Sequence, residues 1–334
     1  MTIYDISEKA GVSIATVSRV LNGSSNVSPK TKQKVLDVIN ECGYSPNVFA
    51  RGLGLDSMNS VGILCADSSD IYLAKAVYYI EQGLRAGGYN AILACTGYSL
   101  ETRKSSLEMM MKQRVDCVIL VGSSFIESND ADNDYIRQAA EKVPVMLLNA
   151  DFNCPNVYCV LCDDFKSTMD ATIWLLEHKR KRILYLYNSH SYSAIRKLSG
   201  YRSAILMKEM ELNKNYEQFF EGKRDDIDGM RDFLLSLGKK KIDFDAILCA
   251  DDSLASGALK YAKVAKRNIP KDLAVIGYNN SILTITCEPE LTSVDNHLED
   301  QCNQLVKSCI QVLSGVETPQ KIIFSGELVE RYTT

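Results

Sequence analysis

Histidine is scarce in this 334-residue sequence: His178, His190 and His297 are the only three, far apart and outside any metal-ligand spacing. A histidine-based zinc site or catalytic triad therefore has little to be built from. No glycine-rich phosphate cradle of the Walker type occurs, and RGLGLD at 51–56 has neither the spacing nor the strand context of a dinucleotide fingerprint. Cys159 and Cys162 form the only promising cysteine pair, but they lie in the apolar run VYCVLC. Three-residue spacing on a strand sends the two thiols to opposite faces, so buried thiols are expected and no metal. The chain also lacks an apolar run long enough to span a bilayer. It has no strong excess of either charge, with 38 Lys and Arg against 42 Asp and Glu, a net of −4. These absences argue against an enzyme, a bound cofactor, a metal centre and a membrane partner. Eleven scattered cysteines without a signal peptide point to the reducing cytoplasm.

What is present begins at the amino terminus. TIYDISEKA offers Thr2 as a helix cap with Asp5 three residues on, and Ile3, Ile6 and Ala10 at helical spacing. Gly11 breaks that helix and Ser13 can cap the next, in which Val17, Val20 and Leu21 form the apolar stripe. Ser28-Pro29 opens a third helix with Val35, Val38 and Ile39 inward, ending before Gly43. Two short helices joined through a glycine-containing turn, then a third, fit a helix-turn-helix unit.

The opposite face of the second helix is small and nearly uncharged: Ile14, Ala15, Ser18, Arg19 and Asn22. Such a face suits close approach to base edges in a DNA major groove. Arg19 can donate two parallel hydrogen bonds to guanine, while Ile14 and Ala15 can pack on thymine methyls. Ser13, Thr16, Ser18, Asn22, Ser28 and Thr31 supply short donors for phosphate oxygens. A three-helix module that docks on another protein would show the same helix pattern. Over residues 1–56, six basic side chains face five acidic ones, a net of only +1. Affinity for DNA would then rest on dimerisation and site fit more than on bulk attraction. The basic runs HKRKR (178–182) and KKK (239–241) read as solvated surface.

TIYDISEKAGVSIATVSRVLNG, followed by VSPKTKQKVLDVINECGYSPNVFARGL, closely resembles the amino-terminal signature of the lactose-repressor/galactose-repressor family. The resemblance is nearly continuous over residues 2–53 and implies that Ile14, Ala15 and Arg19 read bases. SPNVFARGLGLDS (45–57) is short and carries two glycines, so it would make a marginal helix in water. The resemblance implies that it is a hinge helix folding on DNA, with Leu53 wedged into the minor groove.

Beyond about residue 60, β-type runs alternate with amphipathic helical stretches: VGILCAD, NAILACT, VDCVILVG, PVMLLNA, VYCVLC, RILYLY, FDAILCAD and DLAVIGYN. This alternation predicts parallel sheets covered by helices on both faces, and its length predicts two α/β lobes. The expected organisation is a head and hinge at 1–57 and a ligand domain at 58–334. Within the latter, one lobe takes about 60–160 plus 293–320, the other about 161–292 plus 321–334. Ligands of such sheets bind beyond the carboxyl ends of the strands. Those ends carry Asp67, Thr96, Ser123, Asn149, Asn188, Asp251, Asp252 and Asn279, a polar set suited to a small hydroxylated ligand. Several of them would equally serve as helix caps.

DDSLASGALKYAKVAKRNIPKDLAVIGYNN and EPELTSVD resemble the same family's ligand domain, which implies a fold like that of a periplasmic sugar-binding protein. By that resemblance Lys197 stands where the family usually has a sugar-binding arginine. Asp251 replaces a usual asparagine, Asn279 a usual aspartate, and Asn149 another position often aspartate. Arginine and lysine are not interchangeable at a bidentate site. The candidate effector set is therefore Asp67, Tyr72, Thr96, Ser123, Asn149, Lys197, Asp251 and Asn279. An unpaired Lys197 would favour a sugar acid or phosphate over a plain neutral sugar, although Asp251 could pair with it.

The expected function is a DNA-binding transcriptional regulator on a pseudo-palindromic operator, a repressor more than an activator, controlled by a carbohydrate-like effector between the lobes. An activator or a corepressor-dependent regulator would have the same architecture, and an enzyme on a doubly wound fold is the remote alternative. No leucine heptads follow the final strand KIIFSGELVERYTT, so a homodimer is expected.

Overall fold

The structure, a computed structural model, describes residues 2–21, 26–43 and 58–334. The chain divides into two compact units, Met1–Asn59 and Ser60–Thr334. In the first, α1 (Ile3–Ala10), α2 (Ile14–Leu21) and α3 (Pro29–Glu41) enclose Ile6, Ala10, Val17, Val20 and Val35. The expected caps form. The Thr2 amide donates to the Asp5 carboxylate at 2.7 Å, and Gly11 closes α1 at φ +59°, a left-handed conformation that glycine adopts without penalty. The Thr16 amide donates to Ser13 Oγ and the Thr31 amide to Ser28 Oγ, each at 3.2 Å. The hinge segment 45–57, with Leu53, and the candidate contact Asn22 lie outside the described residues.

The second unit contains two six-stranded sheets. The first comprises β1 (Ser60–Cys65), β2 (Asn90–Cys95), β3 (Cys117–Val121), β4 (Val145–Leu148), β5 (Val157–Cys162) and β11 (Lys321–Phe324). Its spatial order is β11-β5-β4-β3-β1-β2, parallel throughout. The second comprises β6 (Ile183–Tyr187), β7 (Glu217–Phe219), β8 (Ala246–Cys249), β9 (Ala274–Tyr278), β10 (Thr292–Asp295) and β12 (Glu327–Val329). It is ordered β12-β10-β9-β8-β6-β7, with only β12 antiparallel. The helices between strands are α4 (Ile71–Ala86), α5 (Leu100–Lys112), α6 (Asp134–Ala140), α7 (Asp164–Glu177), α8 (Tyr192–Met207), α9 (Ile227–Lys239), α10 (Asp252–Val264), α11 (Leu283–Thr286) and α12 (Leu298–Leu313).

Alternation along the strands explains why both faces of the first sheet are buried. Ile63, Ile119 and Leu148 join the α4 and α12 side, whereas Leu64, Leu120 and Leu147 join the opposite core. The second lobe has its own core, including Tyr185, Leu248, Ile276 and Tyr278. Between α7 and α8, Gly200 permits a very close approach: a Cβ there would fall 2.2 Å from the Phe165 carbonyl oxygen.

Two expectations about the carboxyl-terminal region require correction. KIIFSGELVERYTT is two strands, not one, and they belong to different sheets. Lys321–Phe324 pairs with β5 in the first sheet, and Glu327–Val329 with β10 in the second. The lobe boundaries shift accordingly: 321–324 belongs with the first lobe, and β10, containing residue 293, with the second. A strand's place is fixed by the backbone it hydrogen-bonds, which hydrophobicity along one segment does not encode. Gly326 sits at the switch, where a Cβ would lie 2.6 Å from Ser167 Oγ.

Candidate functional site

A cavity of about 110 Å³ opens between the two lobes of the second unit, at the carboxyl ends of their strands. Three helix amino-termini border it. Asp70 caps α4 by accepting from the Leu73 amide at 3.0 Å, Ser191 precedes α8, and Asp251 caps α10 by accepting from the Leu254 amide at 2.9 Å. Cap residues and ligand-facing residues are thus partly the same side chains, because strand-to-helix junctions are where both jobs arise.

Six of the eight candidate effector residues line the cavity: Tyr72, Ser123, Asn149, Lys197, Asp251 and Asn279. Asp67 and Thr96 do not. Asp67 folds back on the Ser69 amide and hydroxyl at 2.8 and 2.7 Å, and the Thr96 hydroxyl donates to the Gly97 carbonyl at 2.8 Å. Both sit at strand ends yet serve local turns.

Lys197 is 6% exposed. Its Nζ donates to the Ala250 carbonyl at 2.9 Å and lies 3.5 Å from the centre of the Tyr278 ring. A cation on an aromatic face is stabilised by the ring quadrupole, most strongly where water is excluded. Burial lowers the lysine's pKa, a pull opposed by Asp164 and Asp251. The anticipated Lys197–Asp251 pairing is replaced by other contacts. Asp251 accepts from the Leu254 amide and, at 3.4 Å, from Asn188 Nδ2.

Asn149 and Asn279 follow β4 and β9 with φ of +62° and +95°. Asparagine tolerates positive φ better than most side chains, which gives its presence at these turns a backbone reason as well. Asn279 Oδ1 accepts from Asn296 Nδ2 at 3.2 Å, whereas Asn149 Oδ1 is buried with no hydrogen-bond partner among the described residues. An acceptor left in that state costs free energy until a donor reaches it.

Sequence reasoning missed several wall residues, among them Asp70, Tyr98, Arg224 and Ser281. Arg224 follows β7, a three-residue strand too short to show a periodic signal. Its guanidinium spans the cleft to Asp70 at 3.2 Å and lies 5.2 Å from the Tyr98 ring centre. Ser123 and Ser191 join the lobes by a second cross-cleft hydrogen bond of 2.9 Å. Asp252 also lines the wall, receiving Ser293 Oγ at 2.6 Å and the Ser281 amide at 2.7 Å. Burial pushes its carboxyl up to about 6 against the pull of those hydrogen bonds.

On the head, Ile14, Ala15 and Arg19 are exposed together, with Ile14 40% accessible despite its apolar side chain. Ser13 and Ser28 are exposed, while Thr16, Ser18 and Thr31 are half-buried. Cys159 and Cys162 are buried free thiols, each pushed up to about 11 by burial. Among the described residues, no cluster of three His, Cys, Asp or Glu side chains could hold a metal, and no helix is long and apolar enough to cross a membrane.

Residues 2–47 match the model for bacterial regulatory proteins of the lacI family, and 174–334 match a periplasmic binding protein-like domain. A relative from Lachnoclostridium phytofermentans, named an HTH-type transcriptional regulator, is 51% identical over 334 residues, covering all of this chain and 99% of its own. Among solved structures, a transcriptional regulator CelR–cellobiose complex aligns with TM-score 0.72 and 25% identity over the whole of both chains. The lac repressor dimer bound to operator and the anti-inducer ONPF aligns with TM-score 0.88 and 23% identity, covering all of this chain and 98% of the other.

Proposed function

The chain belongs to the lacI family of bacterial regulatory proteins, and from that premise we propose how its two units divide the work of a DNA-binding transcriptional regulator. The head of a homodimer reads a pseudo-palindromic operator in cytoplasmic DNA. Ile14, Ala15 and Arg19 meet base edges, and Ser13, Thr16, Ser18, Asn22, Ser28 and Thr31 meet phosphates. Leu53 of the hinge enters the minor groove. The ligand domain takes a small carbohydrate-like effector into its cleft and thereby sets operator affinity, the regulator acting as a repressor.

One observation carries the ligand assignment: a polar cavity between the lobes that retains a buried acceptor on Asn149, unpartnered among the described residues. A hydroxyl donor satisfies it. The charges of the wall favour a neutral polyhydroxylated ligand over an acidic one. Lys197 and Arg224 are offset by Asp70, Asp251 and Asp252, and Lys197 is already engaged with a carbonyl and a ring. Tyr72, Ser123 and Asn279 supply further hydrogen-bonding groups.

Thermal-shift screening of the full-length protein with neutral sugars and matched sugar acids and phosphates tests this, because a ligand bound only by the folded state raises its melting point. Stabilisation by a neutral sugar, weakened in Asn149→Gly, which removes the acceptor yet adopts the positive φ of this turn without strain, is the expected result. Stabilisation by acidic analogues alone would contradict the charge argument.

A further inference from the structure

Adjoining the cavity-lining residues in sequence is an aromatic ledge with no role in the proposed function. Tyr187 and Phe219 are register partners at the carboxyl ends of β6 and β7, with ring centres 5.1 Å apart. His190, exposed, stacks on Phe219 at 4.5 Å with only 13° between the ring planes. The ledge is continuous in sequence with the cavity wall. Asn188, Ser189 and Ser191 flank His190 and line the cavity, and Arg224 lines it five residues beyond Phe219. On the opposite lobe, Tyr98 is 44% exposed at the same cavity and carries the Arg224 guanidinium over its ring.

A half-exposed stack of rings in open water gains little; its value is realised when a flat apolar face covers it. A sugar ring has such a face, formed by its C–H groups, together with a rim of hydroxyls. The cavity supplies partners for a hydroxyl rim, and the ledge supplies a surface for a C–H face. We propose that the His190–Phe219–Tyr187 ledge is a second saccharide subsite, so that the effector is a neutral glycan of two or more rings. One ring occupies the polar cavity and the next stacks on the ledge. This rests on the carbohydrate reading and extends it to ligand length.

The experiment measures, by calorimetry on the full-length protein, the affinity for neutral monosaccharides and their matching disaccharides: glucose with cellobiose and maltose, galactose with lactose, xylose with xylobiose. The expected result is a disaccharide bound at least about tenfold more tightly than its monosaccharide, roughly what 1.4 kcal/mol provides. His190→Ala, at an exposed position, should reduce that ratio to within about threefold of unity. His190→Phe should restore it. Equal binding of mono- and disaccharide, or a ratio unchanged by His190→Ala, would overturn the ledge while leaving the carbohydrate reading intact. Binding of neither length would overturn both.

Discussion

Buried charges in the cleft show how individual side chains are held in costly environments. Lys197 is compensated by a carbonyl and an aromatic face, and Asp252 by two short donors. For Asp252 the compensation is incomplete, since burial still raises its pKa from the ordinary 3.8 to about 6. The folded state therefore holds this proton more tightly than the unfolded chain. Its stabilising contribution is full below about pH 3.8 and is lost as pH rises through 6, a change of about 3 kcal/mol. Carboxyl ¹³C titration should place the Asp252 midpoint near pH 6; a midpoint near 4 would contradict the buried environment described for it. On the head, the residue-scale prediction separates reading from anchoring. Arg19→Ala should cost about 1–3 kcal/mol per contact and relax preference at one symmetric base pair of each half-site. Thr16→Ala should weaken binding to all sequences alike. Selection from a randomised operator library distinguishes them, and full sequence preference retained by Arg19→Ala would contradict its role.

Elements differ in how much of their placement local chemistry dictates. The approach of α7 to α8 depends on Gly200, whose replacement by alanine would drive a methyl into the Phe165 carbonyl. Gly200→Ala should destabilise the ligand domain by about 1–3 kcal/mol, seen as a lower urea midpoint at unchanged slope. An unchanged midpoint would mean that the helices part at no cost. The head helices were fully legible in the sequence, because caps, glycine stops and 3.6-residue periodicity all act within a few residues. The eight apolar strands were legible for the same reason. The short β7 and β12, and the switch of sheets at Gly326, were not, since their partners lie far away in sequence and their own residues carry little signal. The site divides in the same way. Strand ends located Ser123, Asn149, Asp251 and Asn279, and the family resemblance located Lys197, whereas Arg224 and Tyr98 reach the cavity from loops. Asp67 and Thr96 occupy strand ends too, but local hydrogen bonds turn them to backbone work.

At the scale of the whole molecule, regulation requires that ligand and operator binding be coupled, and such coupling is reciprocal and typically worth 5- to 150-fold in affinity. A ligand shifts operator affinity only by as much as it distinguishes the two functional states of the protein. The cross-cleft contacts, Arg224 to Asp70 and Ser123 to Ser191, tie the two lobes together where an effector can act. The most direct test is the anisotropy of a labelled operator fragment, first selected from genomic DNA, titrated with full-length protein with and without a saturating saccharide. The saccharide should change operator affinity at least about fivefold, and Asn149→Gly, which keeps the positive φ of this turn, should abolish the change while leaving ligand-free operator binding intact. A saccharide that binds the protein yet leaves operator affinity unchanged would contradict it.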